Sequence, residues 1–396
     1  MAAVRNVLIS GASIAGPALA HWFGRNGIRA VVIEKAPSRR TGGYAIDIRG
    51  KAIDVAMRMG VLDGVRAAET GIGGAAMVDA DGRVRARLAS GLVAPEERSL
   101  EILRGDLVAL LHEAAPEAEY RYGTSISALE DRGDRVEAVF ASGGTESFDL
   151  VVGADGLHSN TRGLAFGPER PYRRFLESYV SIATVPNHLG LDGEARLFNT
   201  PSRVAALYNT PRAAGAKALL LHRTAVESDV DRAAPAAQRE HLREVFAGMG
   251  WETDRILADL DRAPDFYFDS VTQISMGAWS KGRTVLLGDA GYCPSPMSGQ
   301  GTSLALVGAY VLAAELAARD APEPALAAYE RRMRPFVAAN QGIAAPGLDF
   351  IAPKSAMGIG ARNALLRSGP VLRLLSRFDS RLGKAAEAID LDRGRA

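Results

Sequence analysis

Cysteine is almost absent from this chain. Cys293 is the only one in 396 residues, so no disulfide within the chain can hold the fold. A chain of this length buries enough apolar surface to do without one, and it has room for two or three domains. A surplus of charge of either sign is also missing: 47 Lys and Arg stand against 46 Asp and Glu, a net charge of +1. That balance lacks the basic excess of a nucleic-acid binder. Long hydrophobic runs are missing too. The stretch Gly301 to Ala314 carries no charge, but Glu315 ends it short of the roughly 20 residues a bilayer requires, so it reads as a buried helix. Met1 to Ser10 has neither the basic start nor the apolar centre of a signal peptide, and the expected location is the cytoplasm. Metal-ligand spacings such as H-E-x-x-H and C-x-x-C do not occur, and no G-x-S-x-G elbow supports an esterase. The six histidines, His21, His112, His158, His188, His222 and His241, are scattered and read as structural or exposed.

What is present begins at once. Val7-Leu8-Ile9-Ser10 is a short β-branched apolar run that predicts a buried strand. Gly11-Ala12-Ser13-Ile14-Ala15-Gly16 follows, then a helical pattern from Ala15 to Asn26 with Leu19, Trp22 and Phe23 on one face and Gly27 as its stop. A second apolar run, Ala30 to Ile33, ends in Glu34, which lies 23 positions after Gly11. This unit suits a dinucleotide. Gly11 permits the tight turn and Gly16 a close helix–strand approach. The helix start offers free N–H groups to a pyrophosphate, and Glu34 can accept from a ribose. Ser13 replaces the middle glycine of G-x-G-x-x-G. Its hydroxyl can donate to a phosphate oxygen.

Two further signals lie far downstream. Phe148 to Gly153 predicts a strand that ends in Ala154-Asp155-Gly156, with Ser159, Asn160 and Arg162 at a helix start. Thr284 to Leu287 predicts another buried strand, ending in Gly288-Asp289-Ala290-Gly291. Tyr292 to Met297 is irregular, and Ser298-Gly299-Gln300-Gly301-Thr302-Ser303 opens the apolar helix. No second strand–GxGxxG–helix unit is present, which leaves a second nucleotide-binding domain unsupported.

Between these flanks the pattern changes. Tyr179–Val185, Ala195–Asn199, Val204–Tyr208 and Ala218–His222 are short strand-like runs separated by Pro, Asn and Gly, and they predict an antiparallel sheet. A helical stretch runs from Ala236 to Met249. Phe266-Tyr267-Phe268 and Val271 lead back toward the first domain. Ala361 to Ala388 carries Leu at helical spacing with Arg interleaved, the pattern of an amphipathic helix packed on the body.

The three signals, in this order, resemble the single-component FAD-dependent aromatic hydroxylases with the p-hydroxybenzoate hydroxylase fold. Gly153-Ala154-Asp155-Gly156 is similar to that family's DG motif and Gly288-Asp289-Ala290 to its GD motif. The likeness covers about residues 5 to 345. Together with Tyr329-Glu330-Arg331-Arg332-Met333-Arg334-Pro335, the short C-terminal part looks most similar to the small tetracycline-inactivating members. The chain has no W-x-W-x-I-P signature of flavin halogenases and no room for a thioredoxin-like extension.

The resemblance implies an α/β fold: a Rossmann-like FAD-binding domain, an inserted antiparallel-sheet substrate domain and a C-terminal helix. The expected division is 1–75, 98–168 and 276–345 for FAD, 76–97 and 169–275 for substrate, and 346–396 for a helical tail. It implies that Gly11, Ala12, Ser13, Ile14, Ala15, Gly16, Glu34 and Lys35 bind the adenine half of FAD. Arg104 would sit near the phosphates and Asp289 on the ribityl chain. The backbone of Gly299, Gly301 and Thr302 would meet the pyrimidine edge. Arg40 and Asp47 would approach the ring, and Asp155 the FAD and nicotinamide sites, unless it is only the acid of a turn. Phe198, Tyr208, Phe266, Pro296 and Met297 are candidates for the substrate pocket. Gly291-Tyr292 departs from the Ala-His usual after GD, which would reshape the roof above the flavin. Cys293 reads as a packed thiol rather than a flavin link.

The implied activity is oxygenation of an aromatic or polycyclic molecule by a monomer or homodimer. NADH or NADPH reduces the flavin, O2 adds at its C4a position, and the peroxide passes on one oxygen atom. No acid or base is assigned by the sequence. An FAD-dependent reductase or dehydrogenase of isoprenoids or polyketides shares the same motifs, as does a non-catalytic FAD-binding protein.

Overall fold

A computed structural model describes residues 4–39, 43–89, 98–211, 215–368 and 381–392. Its first sheet has six strands in the spatial order Ser280–Lys281, Thr284–Leu286, Leu150–Gly153, Asn6–Ser10, Arg29–Glu34, Glu119–Tyr122. All neighbours are parallel except the pair at the Ser280–Lys281 edge. Asn6–Ser10 is central, and both of its faces are buried. Val7 and Ile9 pack among the helices, whereas Leu8 packs with Val31, Ile33 and Val151 against a three-stranded antiparallel sheet. Burial on both sides is why these strands read as continuous apolar runs. The helix Ala15–Arg25 ends at Asn26 and Gly27, which has φ 69°.

The helix Gly301–Ala317 is buried nearly all round and lies against Ala15–Arg25. It is apolar on every side because it fills the core rather than facing water. Its one acid, Glu315, is buried and paired with Arg319 and Arg332. Among the described residues, no helix is long and apolar enough to cross a membrane.

A second sheet has seven strands in the order Tyr267–Ile274, Arg173–Pro186, Gly215–Arg223, Arg203–Tyr208, Ala195–Thr200, Gly74–Val78, Val84–Ala89. It is antiparallel apart from the Ala195–Thr200 and Gly74–Val78 pair. One face carries the helices Pro235–Phe246 and Thr253–Asp259. The other faces Met297, Leu348 and Ile351. A two-stranded ribbon, Ala45–Arg49 with Ser99–Leu103, lies near the start of the Gly301–Ala317 helix, where Arg49 N–H donates to Ser303 Oγ at 3.1 Å.

Two element boundaries differ from the sequence reading. Phe148 to Gly153 is two strands, not one. Thr145–Phe148 is antiparallel to Val136–Phe140, and Leu150–Gly153 joins the parallel sheet. Asp149 makes the joint, its carboxylate accepting the Arg5 and Asn6 N–H groups at 2.7 and 2.9 Å. The tail helix begins earlier than Ala361, at Ala356, where Ser355 caps it by accepting the Gly358 N–H at 3.1 Å; it runs to Arg367. Residues 369–380 of that expected helix lie outside the described residues.

Candidate functional site

The turn after the first strand is closed by close approach. Gly11 has φ 113°, and a Cβ there would collide with the Ala154 carbonyl. A Cβ on Gly16 would collide with the Gly11 carbonyl. The helix that starts at Ala15 has Ile14 at its N-cap and no side chain capping it, so its first N–H groups point out unpaired by side chains. Ser13 is used in a way the sequence did not reveal: its Oγ accepts from the Arg104 guanidinium at 2.8 Å. The serine thus anchors the arginine at the mouth of the turn. Glu34 Oε2 accepts the Ala12 N–H at 3.1 Å and Oε1 the Ala36 N–H at 3.0 Å, which fixes the carboxylate at the end of its strand.

These groups line one cavity of ≈ 210 Å³. Of the expected residues it gathers Gly11, Ala12, Ser13, Glu34, Lys35, Arg104 and Asp155. Ile14, Ala15 and Gly16 lie just behind it in the helix start. The walls also include Arg39, Tyr122, Thr124, His158 and Asn160, which the sequence reading missed. Only the spacing of Ser159, Asn160 and Arg162 hinted at this helix start. Arg40 lies outside the described residues. Asp155 is both wall and turn. Its carboxylate accepts from Thr161 N–H and Oγ1, each at 2.9 Å, and from Ser159 Oγ at 2.5 Å.

A second group forms where Thr284–Leu286 ends. Gly288 has φ 65°, and Asp289 begins a single helical turn. Burial pushes the Asp289 carboxyl above the ordinary carboxylate range, against a hydrogen bond with Cys293 and the charge of Arg104. Asp289 Oδ1 lies 3.7 Å from where a Cβ on Gly301 would stand. Gly301 and Thr302 open their helix with no side-chain cap. Gly299 is left-handed, φ 62°, and a Cβ there would be 3.4 Å from Asp47 Oδ2. Asp47 pairs with Arg49 at 3.1 Å. It also stands opposite Glu101 in the ribbon, whose carboxyl is pushed up by burial. Gln300 is fully buried, and both its amide atoms lack a hydrogen-bond partner.

An FAD fits these residues. The glycine turn is a cradle that a Cβ would fill, and two helix starts offer unpaired N–H groups. Arg104 supplies positive charge for a diphosphate. The buried Gln300 amide is an orphan donor and acceptor of the kind that calls for a partner.

The substrate candidates separate by face. Tyr208 and Met297 belong to the side of the seven-stranded sheet that faces the ribbon and the Ala344–Ile351 helix. The Tyr208 hydroxyl accepts the Ala45 N–H at 3.3 Å, and Pro296 and Met297 lie in a short 3-10 turn beside the sheet. Phe198 and Phe266 lie on the opposite face. Phe198 is buried against Trp251 with Phe246 and Leu242, and the Phe266 ring lies under the Arg239 guanidinium, 4.5 Å from its centroid. Both pack on the helix-covered face, Phe198 because strand side chains alternate and Phe266 from the residue just before Tyr267–Ile274. Tyr292, two residues after Ala290, is a core residue. It is buried against Trp279, with its hydroxyl 2.8 Å from that of Tyr329. The Cys293 thiol is buried, pushed up by burial, and lies 3.6 Å from the Thr272 carbonyl.

Tyr44 and Tyr267, which the sequence reading did not select, pack against each other with ring centroids 5.7 Å apart. Asp269 joins them to the cavity wall. Its Oδ2 accepts from Tyr267 at 3.1 Å, and its Oδ1 is 3.1 Å from His158 Nε2. His158 Nδ1 is 3.1 Å from Glu169, which also receives Arg162 and Arg232.

A parallel sheet with a glycine turn, an arginine at its mouth and a second glycine-rich helix start facing a buried aspartate defines the class of FAD-binding proteins. The family described as "FAD binding domain" matches residues 5–342, and the chain belongs to it. A flavin-dependent monooxygenase from an unknown prokaryotic organism is 41% identical over 340 residues, covering 85% of this chain and 88% of its own. The crystal structure of the tetracycline destructase Tet(55) superposes with a TM-score of 0.85 at 37% identity, covering 99% of both chains. That of Klebsiella pneumoniae HpxO, complexed with FAD and uric acid, shares the fold at 21% identity and a TM-score of 0.76, covering 96% of each.

Proposed function

We propose that this FAD-dependent monooxygenase inserts one atom of O2 into an aromatic or polycyclic small molecule, with NADH or NADPH as reductant. The observation that carries the reading is the likeness to a tetracycline destructase along the whole chain, the seven-stranded sheet included. Residues 76–97 and 169–275 are then the substrate domain, and the remainder up to 345 holds the cofactor. The chemistry that FAD supplies when bound is acceptance of two electrons and activation of O2. The chain's part is to bind, orient and exclude water. The Ala15–Arg25 helix start and Arg104 hold the diphosphate, and Glu34 holds the adenosine ribose. Asp289 holds the polyol, and the N–H groups of Gly301 and Thr302 meet the ring edge that gains charge on reduction. Gly299 and Asp47 flank that edge. Tyr44, Tyr208 and Tyr267 turn amphipathic side chains toward a flat substrate.

The test is direct. Purified protein should carry flavin absorbance or gain it with added FAD. NADPH oxidation and O2 uptake should rise with a phenol or tetracyclic polyketide, and 18O2 should label the product. Absence of flavin binding overturns the reading, and unlabelled product moves it to dehydrogenation.

A further inference from the structure

Two of the six histidines meet in the fold. His222 stands on the strand Gly215–Arg223 and His241 on the helix Pro235–Phe246, 19 positions apart, and their Nε2 atoms lie 3.2 Å from each other. Both rings line a cavity of ≈ 480 Å³. Its wall includes Val226, which is 73% exposed, so water reaches it. It shares no wall residue with the cofactor cavity and lies on the helix-covered face of the seven-stranded sheet, where the His222 ring meets Phe246.

The rings are held from behind. Tyr179 stacks on His222 with centroids 5.4 Å apart and planes 22° from parallel. The Tyr179 hydroxyl is fixed in turn by Ser228, whose N–H donates to it at 2.8 Å. Among the described residues, His222 Nδ1 has no hydrogen-bond partner, so no neighbour locks the ring in one tautomer.

The separation of the two nitrogens is informative. Two imidazoles on one ion at about 2.0–2.1 Å place their nitrogens roughly 3.3 Å apart at a tetrahedral angle, about 2.9 Å at a square angle and about 4 Å in line. The observed 3.2 Å stands closest to the first. Zinc takes imidazole nitrogen in that geometry. The lone pairs are also available, because burial pushes His222 down to about 3 and lowers His241 as well, so both rings are neutral at pH 7. Glu244, one turn further along the same helix, sets a negative charge near His241. The other cluster of ligand-type groups, His158, Asp231 and Asp269, is spoken for. Asp231 is paired with Arg173, and the His158 ring, raised to about 9 by its hydrogen bonds to Asp269 and Glu169, keeps its proton.

We propose that His222 and His241 bind a divalent transition-metal ion, zinc above all, through their Nε2 atoms, with water completing the tetrahedron. The ion replaces the N–H···N hydrogen bond between two neutral rings, and each ring then carries its proton on Nδ1. It clips the helix Pro235–Phe246 to the strand Gly215–Arg223. Two protein ligands and an unpartnered, buried Nδ1–H set the affinity well below that of a closed four-ligand site. The site is independent of the oxygenase reading, since it lies on the face of the sheet away from Tyr208 and Met297.

The experiment titrates zinc chloride into the tag-free full chain supplied with FAD, followed by calorimetry. One ion should bind with a Kd on the order of 10 µM. At zinc roughly a hundredfold above that Kd, the melting temperature should rise by about 2–5 °C. His241→Ala, at a half-buried helix position, should weaken binding by about tenfold or more and erase the rise. His158→Gln should keep the Kd within about twofold. In wild type, the ring NMR signals of His222 and His241 should shift together and saturate at one equivalent, a readout that needs no variant to fold. No heat of binding would overturn the proposal. So would ring signals that stay in place, or a Kd unchanged in His241→Ala. Loss of binding in His158→Gln alone would put the ion at the other cluster and overturn it equally.

Discussion

Ser13 shows how much a single side chain can decide at this site. A glycine at that position leaves the backbone open to a phosphate; serine instead ties down Arg104 at 2.8 Å. Ser13→Ala should therefore release the guanidinium and weaken FAD binding by about three- to tenfold, the worth of one hydrogen bond. Equilibrium titration of apoprotein with FAD checks this, and Arg104→Ala should cost more. Gly16 tolerates nothing: Gly16→Ala places a Cβ on the Gly11 carbonyl, so the helix must shift from the strand. The expected loss is about 2–4 kcal/mol of stability together with loss of bound flavin, read by denaturant unfolding and absorbance. Phe198 and Tyr208 make a contrasting pair. Phe198→Leu should lower stability by about 1–2 kcal/mol and leave kcat/KM for any accepted substrate near wild type. Tyr208→Phe should do the reverse.

The elements differ in how openly the sequence announced them. The strand–turn–helix–strand unit of residues 6–34 was legible because its signals are local: a glycine at each turn, apolar runs buried on both faces, and an acid at the tip. The Gly301–Ala317 helix was legible because burial on all sides leaves no polar stripe. The seven-stranded sheet was seen as a sheet but not as two faces. Which parity of Ala195–Thr200 meets the helices is set by how the whole sheet docks, including its pairing with the distant Gly74–Val78, so the sequence could not say which face Phe198 would take. The break at Asp149 was invisible for the same reason, since an apolar run does not say where one partner strand gives way to another. Tyr292 is a further case. Its hydroxyl closes on Gly308 in the middle of the apolar helix, where a Cβ would strike it. Gly308→Ala should cost about 1–3 kcal/mol, and Tyr292→Phe in the same chain should recover part of it, a coupling that a double-mutant cycle measures.

Across the whole molecule, the two sheets are tied where His158 meets Asp269, and the His158–Glu169 pair beside that tie is sensitive to pH. Burial opposes both charges, yet hydrogen bonds to Asp269 and Glu169 raise His158 to about 9, and His158 with Arg162 and Arg232 lowers Glu169 to about 2. A histidine raised from 6.5 adds stability that is complete below that value and fades as pH rises through about 9. A glutamate lowered from 4.5 adds stability present above that value and lost as pH falls toward about 2. The two shifts share the His158–Glu169 pair, whose contribution should be fullest between pH 4.5 and 6.5 and fall off on either side. Melting temperature against pH should show an alkaline decline in wild type that is blunted in Glu169→Gln. The polar line from His158 to Tyr267 could not be read from sequence, because it exists only once the two sheets are docked.

The order of strands in the parallel sheet also sets a timetable. Asn6–Ser10 lies beside Leu150–Gly153, which lies beside Thr284–Leu286. On a ribosome, the first strand of the cofactor site emerges early, gains Arg29–Glu34 at one edge soon after, and waits for its other neighbour, made much later. Asp289 and the Gly301–Ala317 helix that flanks the glycine turn come last. A nascent chain released before that helix would hold the turn without the helix that packs against it, and flavin capture accordingly waits until synthesis has passed Ala317.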